Sequence, residues 1–509
     1  MKKQKNKKVH PVLILLTLTL IVMIVSSLGD LFKLESSYYT VNAVTGEVES
    51  QIVKINSLFN RTGLQYLISN IISNFVNFAP LGTLLTGLLG VGVAYYSGFL
   101  TALFKKITNK VPRKLITYIV VLLGIITSMF YEAGYVILIP LSAILFMTIK
   151  RHPSAGICAS FAGITFGYGA NFIVNGLDAS LIPYTRSSTK ILDSTYNINL
   201  NGNLFFIIIS SLILSYLGMF ITEKYIIPKL GKYNFEEEEE QELTNKEKKG
   251  LTLSLIALTF LTIITIYCII PGLPFSGLLL YLKDSTYTEQ LFGYNSYFNQ
   301  GVVFILSIYL MLMGLIYGTR TKTIKTNKDF VDGMGYYLTN ISSILVLIFF
   351  AAQFCSIFKK SNIGVFITAS LTEIVSNFQA TGIILILITF ILVVISSLFL
   401  PVASTKWAIL APVIVPMFMT SSMTPEFAQA VFRAGDSAIK GITPLFSYFV
   451  ILIGFLQIYT KKEKETVTIT DAMSLMVPYT IAFTVAWLLI ILAFYIIGIP
   501  LGPGASAIL

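Results

Sequence analysis

Apolar stretches of about twenty residues recur along almost the whole of this chain, and nothing constrains its fold more. A stretch of that length crosses the hydrocarbon core of a bilayer as a helix, because in lipid every backbone polar group must find its partner within its own segment. Spans are predicted near 11–28, 115–130, 134–149, 203–222, 251–270, 300–318, 340–357, 380–400, 404–420, 443–459 and 478–498. Composition agrees, with 55% hydrophobic and only 12% charged residues among 509, where soluble domains carry roughly 25% charged residues. The fold class is therefore an all-α polytopic membrane protein. The regions 62–100, 155–180 and 361–378 are apolar but interrupted by Asn, Pro, Gly and Ser. They are expected to form re-entrant hairpins or broken helices, which persist at membrane depth only where protein or water satisfies the backbone.

The net charge of +11 is not a nucleic-acid signature. It comes from short clusters beside the spans: Lys2 to Lys8, Lys105 to Lys114, Lys150 with Arg151, Lys224 to Lys232, Arg320 to Lys328 and Lys461 to Lys464. Such clusters mark cytoplasmic loops, which places the N-terminus inside and, after one more span, the C-terminus outside. The segment 11–28 is read as a retained span, not a cleaved signal. The run FEEEEEQELTNKEKKG (235–250) reads as a solvated cytoplasmic linker between two halves. Cys158, Cys268 and Cys355 lie in apolar segments with no CxxC pair, and the two histidines, His10 and His152, fall at segment ends. No GK[ST] sequence occurs, so no P-loop is present. These absences leave little material for an enzyme, and no metal site or cofactor is expected.

An internal repeat narrows the class further. Residues 132–171 align without a gap on 404–443, with matches at Ile137/Ile409, Leu138/Leu410, Pro140/Pro412, Met147/Met419, Thr148/Thr420, Pro153/Pro425, Gly163/Gly435 and Gly169/Gly441. Apolar matches come easily by chance; matched prolines and glycines less so. Each copy follows an interrupted apolar stretch, NFAPLGTLL (77–85), with Pro80 and Gly82, and SNIGVFIT (361–368), with Asn362. Repeats carrying Gly- or Pro-interrupted segments point to a secondary transporter with its substrate near the midplane.

Charge at membrane depth is costly and is a functional candidate by default. The candidates are Glu132, Asp178, Lys406, Arg433, Asp436 and Lys440. In RAGDSAIKG, Arg433, Asp436 and Lys440 share one face if the segment is helical, so Asp436 can pair with either base. Arg433 is the better anchor for a substrate carboxylate, since a guanidinium binds it in a two-pronged fork. Trp407 either covers an aromatic ring or simply packs. Lys406, in the stretch PVASTKW (401–407), reads either as an anchor or as a helix-end charge.

These residues resemble a known family. STKWAILAPVIVPMFM (404–419) and TPEFAQAVFRAGDSAIKGITPLFSYF (424–449) are similar to the signature of the p-aminobenzoyl-glutamate transporter (AbgT) family. So are HPSAGICASFAGITFGYGANFIVNGLDASL (152–181), NFAPLG (77–82), GNLFFIIISSLILSYLGMFITEKYIIPKLG (202–231) and AAQFCSIFKKSNIG (351–364). The resemblance implies a homodimer in the bacterial cytoplasmic membrane. Each subunit would be an inverted repeat of about nine spanning helices and two re-entrant hairpins. The divisions are then a first span and outer loop (1–60), a first repeat half (61–235), the acidic linker (236–250), connecting and dimerisation helices (251–345), a second repeat half (346–460) and a C-terminal span (461–509). It implies a small anionic substrate, p-aminobenzoyl-glutamate or a related aromatic carboxylate, moved by an ion gradient. Another carboxylate or amino-acid derivative on the same fold is the alternative. By motif, Asp178, Ser404, Trp407, Pro425, Arg433, Asp436 and Pro444 carry over to the cavity or to transport, and Asn171 and Asn362 join the substrate-binding set. Pro80, Gly82, Pro425 and Pro444 are expected at broken helices.

The departures from the family pattern concern coupling. Ser397 stands where the family has the Asn of NLF, and Lys440 where it has the Asn of NIITPL. Those asparagines resemble sodium-site residues, and a lysine ammonium occupies the place a cation would take. The expectation is a sodium-independent protein, coupled to protons through Asp436 or Asp178 or to counter-substrate, with Lys440 as a tethered cation. PVAS also replaces the family's GSAS, and Glu132 replaces a common Asp.

Overall fold

The computed structural model describes residues 9–42, 45–109, 111–130, 132–233, 242–284, 286–460 and 466–509. Helix α1 (Pro11–Leu31) is followed by a hairpin of β1 (Glu35–Val41) and β2 (Val48–Lys54), paired antiparallel with Glu35 opposite Lys54 and Val41 opposite Val48. Next come α2 (Arg61–Val76), α3 (Ala79–Tyr96), α4 (Phe99–Thr108) and α5 (Arg113–Thr127). A π-helical turn (Gly134–Leu138) leads into α6 (Ile139–Thr148), then α7 (Pro153–Phe166), α8 (Gly176–Thr189) and α9 (Leu204–Ile221), which continues through a second π turn into α10 (Ile227–Leu230). The middle of the chain holds α11 (Asn245–Ile269), α12 (Tyr287–Phe292), α13 (Tyr297–Thr321), α14 (Asn327–Gly335) and α15 (Ser342–Lys360). The last third holds α16 (Ile363–Ser376), α17 (Gly382–Phe399), α18 (Ala403–Thr420), α19 (Pro425–Ile439), α20 (Phe449–Ile458) and α21 (Ile469–Ile497).

Ten helices among the described residues are long and apolar enough to cross a membrane. Two predicted spans are shorter than expected. The 134–149 stretch is a π turn plus a ten-residue helix, and 443–459 contributes only the ten residues of α20. Both start at breaks enclosed by protein, so neither has to match the thickness of lipid. Of the two forms expected for the 62–100 region, hairpin or broken helix, the second is found. It is a 36-residue helical run broken at Asn77 and Phe78, with α2 against α15 and α3 against α13 and α14. Helix α16 does fold back onto α17. The first part of the acidic run, 235–241, lies outside the described residues. The end of the run is helical, because Thr244 and Glu247 form a reciprocal cap that starts α11 at Asn245.

The repeat is visible in the elements. Helices α7 and α19 start at positions 272 apart, each with a side-chain cap, His152 or Thr424, followed by Pro153 or Pro425 at the first helical position. Helices α6 and α18 end at the same offset, at Thr148 and Thr420. The matched glycines explain the packing. A Cβ on Gly163 would stand 2.3 Å from Val121 O of α5, and one on Gly435 would stand 3.0 Å from Val393 Cβ of α17. Each repeat thus presses its buried helix against its own preceding span through a residue without a side chain. The two copies also clasp each other reciprocally. A Cβ on Gly169, just past α7, would meet Arg433 O of α19 at 2.6 Å, and one on Gly441, just past α19, would meet Phe166 of α7 at 2.4 Å.

The chain ends by folding back. Phe206 N donates to Leu501 O at 2.9 Å, Thr424 N to Ala507 O at 3.1 Å and Leu509 N to Ser422 O at 3.0 Å. This tail closes over Met423, which is fully buried, at the turn before α19.

Candidate functional site

Fourteen of the fifteen residues of α19 are buried, and its charged side chains therefore need partners within the protein. Arg433 is fully buried and finds them in the first repeat. Its Nη1 lies 2.6 Å from Asp178 Oδ1, and its Nε donates to Gly169 O at 2.8 Å. Asp178 is placed by local sequence. In NGLD, Asn175 caps α8 and Asp178 reaches back to Asn175 N at 3.1 Å, a reciprocal cap at a helix start that also favours the carboxylate. Arg433 Nη2, by contrast, is buried with no hydrogen-bond partner among the described residues.

One turn on, Asp436 does not pair with Arg433. It takes two lysines instead. Lys406 Nζ of α18 lies 2.6 Å from Asp436 Oδ1, and Lys440 Nζ donates to Asp436 Oδ2. Lys406 also donates to Ser397 Oγ of α17. Asp436 and Lys406 are fully buried and Lys440 is 5% exposed. The Lys440 ammonium sits 4.6 Å from the ring centroid of Tyr168. Tyr168 is the counterpart of Lys440 in the repeat alignment, so the two copies meet at this contact. Lys406 is therefore neither a helix-end charge nor an exposed anchor but half of a buried ion pair.

Trp407 is fully buried, with its ring 4.5 Å from that of Phe432. Its Nε1 donates to Thr185 Oγ1 at 2.8 Å, and Thr185 donates on to Gln429 Oε1 at 2.6 Å. The indole is thus occupied by packing and held by α8. Asn171 lies in the broken stretch between α7 and α8 and donates to Ile125 O at 3.2 Å. Ser404 is half-buried in the first turn of α18. Asn362 is set apart from this group; it caps α16 in a left-handed conformation (φ 60°) and donates to Lys54 O of β2. Pro80 and Pro425 start helices and Pro444 follows the break after α19, whereas Gly82 lies inside α3.

Sequence reasoning missed the partners of Glu132 and two further charged contacts, those of Glu426 and of Arg151 with Glu223. Glu426, buried in the first turn of α19, accepts from Tyr196 Oη at 2.9 Å and Asn199 N at 3.0 Å. Burial and the Glu426 carboxylate push the Tyr196 phenol above its ordinary range. An acidic residue directly after Thr-Pro was the available signal. Arg151, in the turn between α6 and α7, pairs with Glu223, in the π turn after α9, with Thr117 donating to Glu223 at 2.7 Å. Glu132 faces the buried hydroxyl of Tyr448, whose ring stacks on Tyr135 with centroids 4.5 Å apart.

Both oxygens of Asp436 face ammonium groups, and the position of Lys440 offers a donor where a cation needs an oxygen. No cluster of three or more His, Cys, Asp or Glu residues that could hold a metal occurs among the described residues.

Known proteins are similar to this chain over nearly its whole length. The chain is 30% identical over 501 residues, 98% of its length and 94% of the relative's, to the p-aminobenzoyl-glutamate transport protein of Escherichia coli K12. The MtrF structure of Neisseria gonorrhoeae, described as illuminating a class of antimetabolite efflux pumps, is 32% identical with a TM-score of 0.50 over 98% of both chains. The YdaH transporter of Alcanivorax borkumensis, described as having an unusual topology, is 28% identical with a TM-score of 0.49, covering 97% of this chain and all of the other. The model of the "AbgT putative transporter family" matches residues 1–509. With that match over its full length, the chain belongs to the AbgT family of membrane transporters.

Proposed function

We propose that this protein is a secondary active transporter of p-aminobenzoyl-glutamate or a related aromatic carboxylate, driven by an ion gradient other than sodium, and not an enzyme. The observation that carries the reading is Arg433. A guanidinium that is fully buried, already neutralised by Asp178 and still left with an unpartnered Nη2 is suited to take a ligand carboxylate through its free edge. The name of the E. coli relative supplies the aromatic carboxylate. The ammonium of Lys440 against Asp436 supports sodium independence. On this reading the two repeats are inverted, the N-terminus is cytoplasmic and the protein works as a homodimer in the bacterial cytoplasmic membrane.

Flux of p-aminobenzoyl-glutamate into proteoliposomes tests this, with sodium and proton gradients imposed separately. Transport is expected with a proton gradient alone, and Arg433→Ala is expected to lower it by about thirtyfold or more, the scale of a lost buried charge-assisted contact. Sodium-stimulated flux, or undiminished flux in Arg433→Ala, would reject the reading.

A further inference from the structure

We infer that Lys406, Asp436 and Lys440 together form the proton-binding site of the transport cycle, and that one proton and one substrate carboxylate occupy the region together. The inference starts from charge. Two ammoniums meet the two oxygens of a single carboxylate, all three side chains being buried. Among the described residues, the groups that face them from the surrounding elements bring no further negative charge. Helix α17 offers the hydroxyl of Ser397, α19 the ring of Phe432 5.9 Å from Lys406, and the segment after α7 the ring of Tyr168. Arg433 is already matched by Asp178 of α8. With both lysines protonated, the group carries one positive charge in excess.

An uncompensated buried charge is costly enough that the group neutralises itself or acquires a partner. Only two outcomes relieve this one. Either a lysine gives its proton to water and stays as a neutral amine held by Asp436 or Ser397, or an anion comes to lie beside the charged group. The neutral group lacks the charge that draws an anion to the second, so proton and anion binding support each other, and by linkage the coupling is reciprocal. An anion bound together with a proton is carried in the same direction as that proton, which makes the protein a symporter. Lys440 suits this role by position as well as charge. It stands against its own repeat counterpart, Tyr168, where elements of both copies meet. The identity of the anion rests on the function proposed above; the proton site does not.

The chain has only two tryptophans. Trp407 adjoins Lys406 and stacks on Phe432, which Lys406 also faces. In Trp487→Phe protein, and in the wild type as a check on that substitution, Trp407 emission is followed against pH in sodium-free buffer. A single titration step is expected, lost or displaced in Lys440→Asn and Lys440→Gln. Added p-aminobenzoyl-glutamate is expected to move the step to higher pH, its affinity falling about tenfold per pH unit above the step. No step, or a step unchanged in both Lys440 variants, overturns the proton site. A Lys440-dependent step that ignores p-aminobenzoyl-glutamate upholds the proton site and rejects that anion.

Discussion

At the scale of single residues, the centre of the molecule is held by side chains whose partners lie in other parts of the chain. Arg433 was legible in the sequence as a charge in an apolar run, and so was the Asp436–Lys440 pair, one helical turn apart. The other pairings were not. Asp178 reaches Arg433, and Lys406 reaches Asp436, only because separate helices cross, and no spacing within one segment encodes that crossing. Trp407 shows the same limit. Its two roles, ring cover or packing, could not be separated until Phe432 and Thr185 were seen beside it. Thr185 is the one group that joins the indole to Gln429. Thr185→Val keeps the shape but strands a buried donor and a buried acceptor, each worth about 1–3 kcal/mol. A lower melting temperature in detergent is expected, with transport reduced more than in a surface Thr→Val control.

At the scale of elements, the repeat was the most readable feature. Matched prolines became matched helix starts, because proline at a first helical position gives up a hydrogen bond that position does not make. Matched glycines became close approaches. What could not be read was which helix each glycine touches, and so the sequence left 62–100 open between a hairpin and a broken helix, of which it is the second, lying on α13 and α15. The glycines make a sharp test. Gly169→Ala and Gly441→Ala each force a methyl to within 2.6 Å or less of the opposite repeat and are expected to cost about 1–3 kcal/mol by overpacking. Gly82→Ala, with nothing within 4 Å of the added carbon, is expected to be neutral or to raise the melting temperature slightly through helix propensity. Thermal unfolding of the three variants side by side checks this; equal loss in all three would refute the clasp.

At the scale of the whole molecule, the fold class followed from hydrophobic run length alone, because lipid leaves helices as the economical way to satisfy a backbone. The closing tail had no such signature. Its nine residues are tied by backbone hydrogen bonds to α9, to Ser422 and to the cap of α19, the helix that carries Arg433 and Asp436. Removing residues 501–509 is expected to uncover Met423, lower the melting temperature and weaken transport, while leaving membrane insertion of the remaining helices intact. Size-exclusion chromatography with a flux assay measures both. The same tail bears on how the protein is handled at the bench. A purification handle or fluorescent reporter joined directly after Leu509 would tug on the strand that seats α19, whereas the same fusion placed before Pro11 would leave that strand alone.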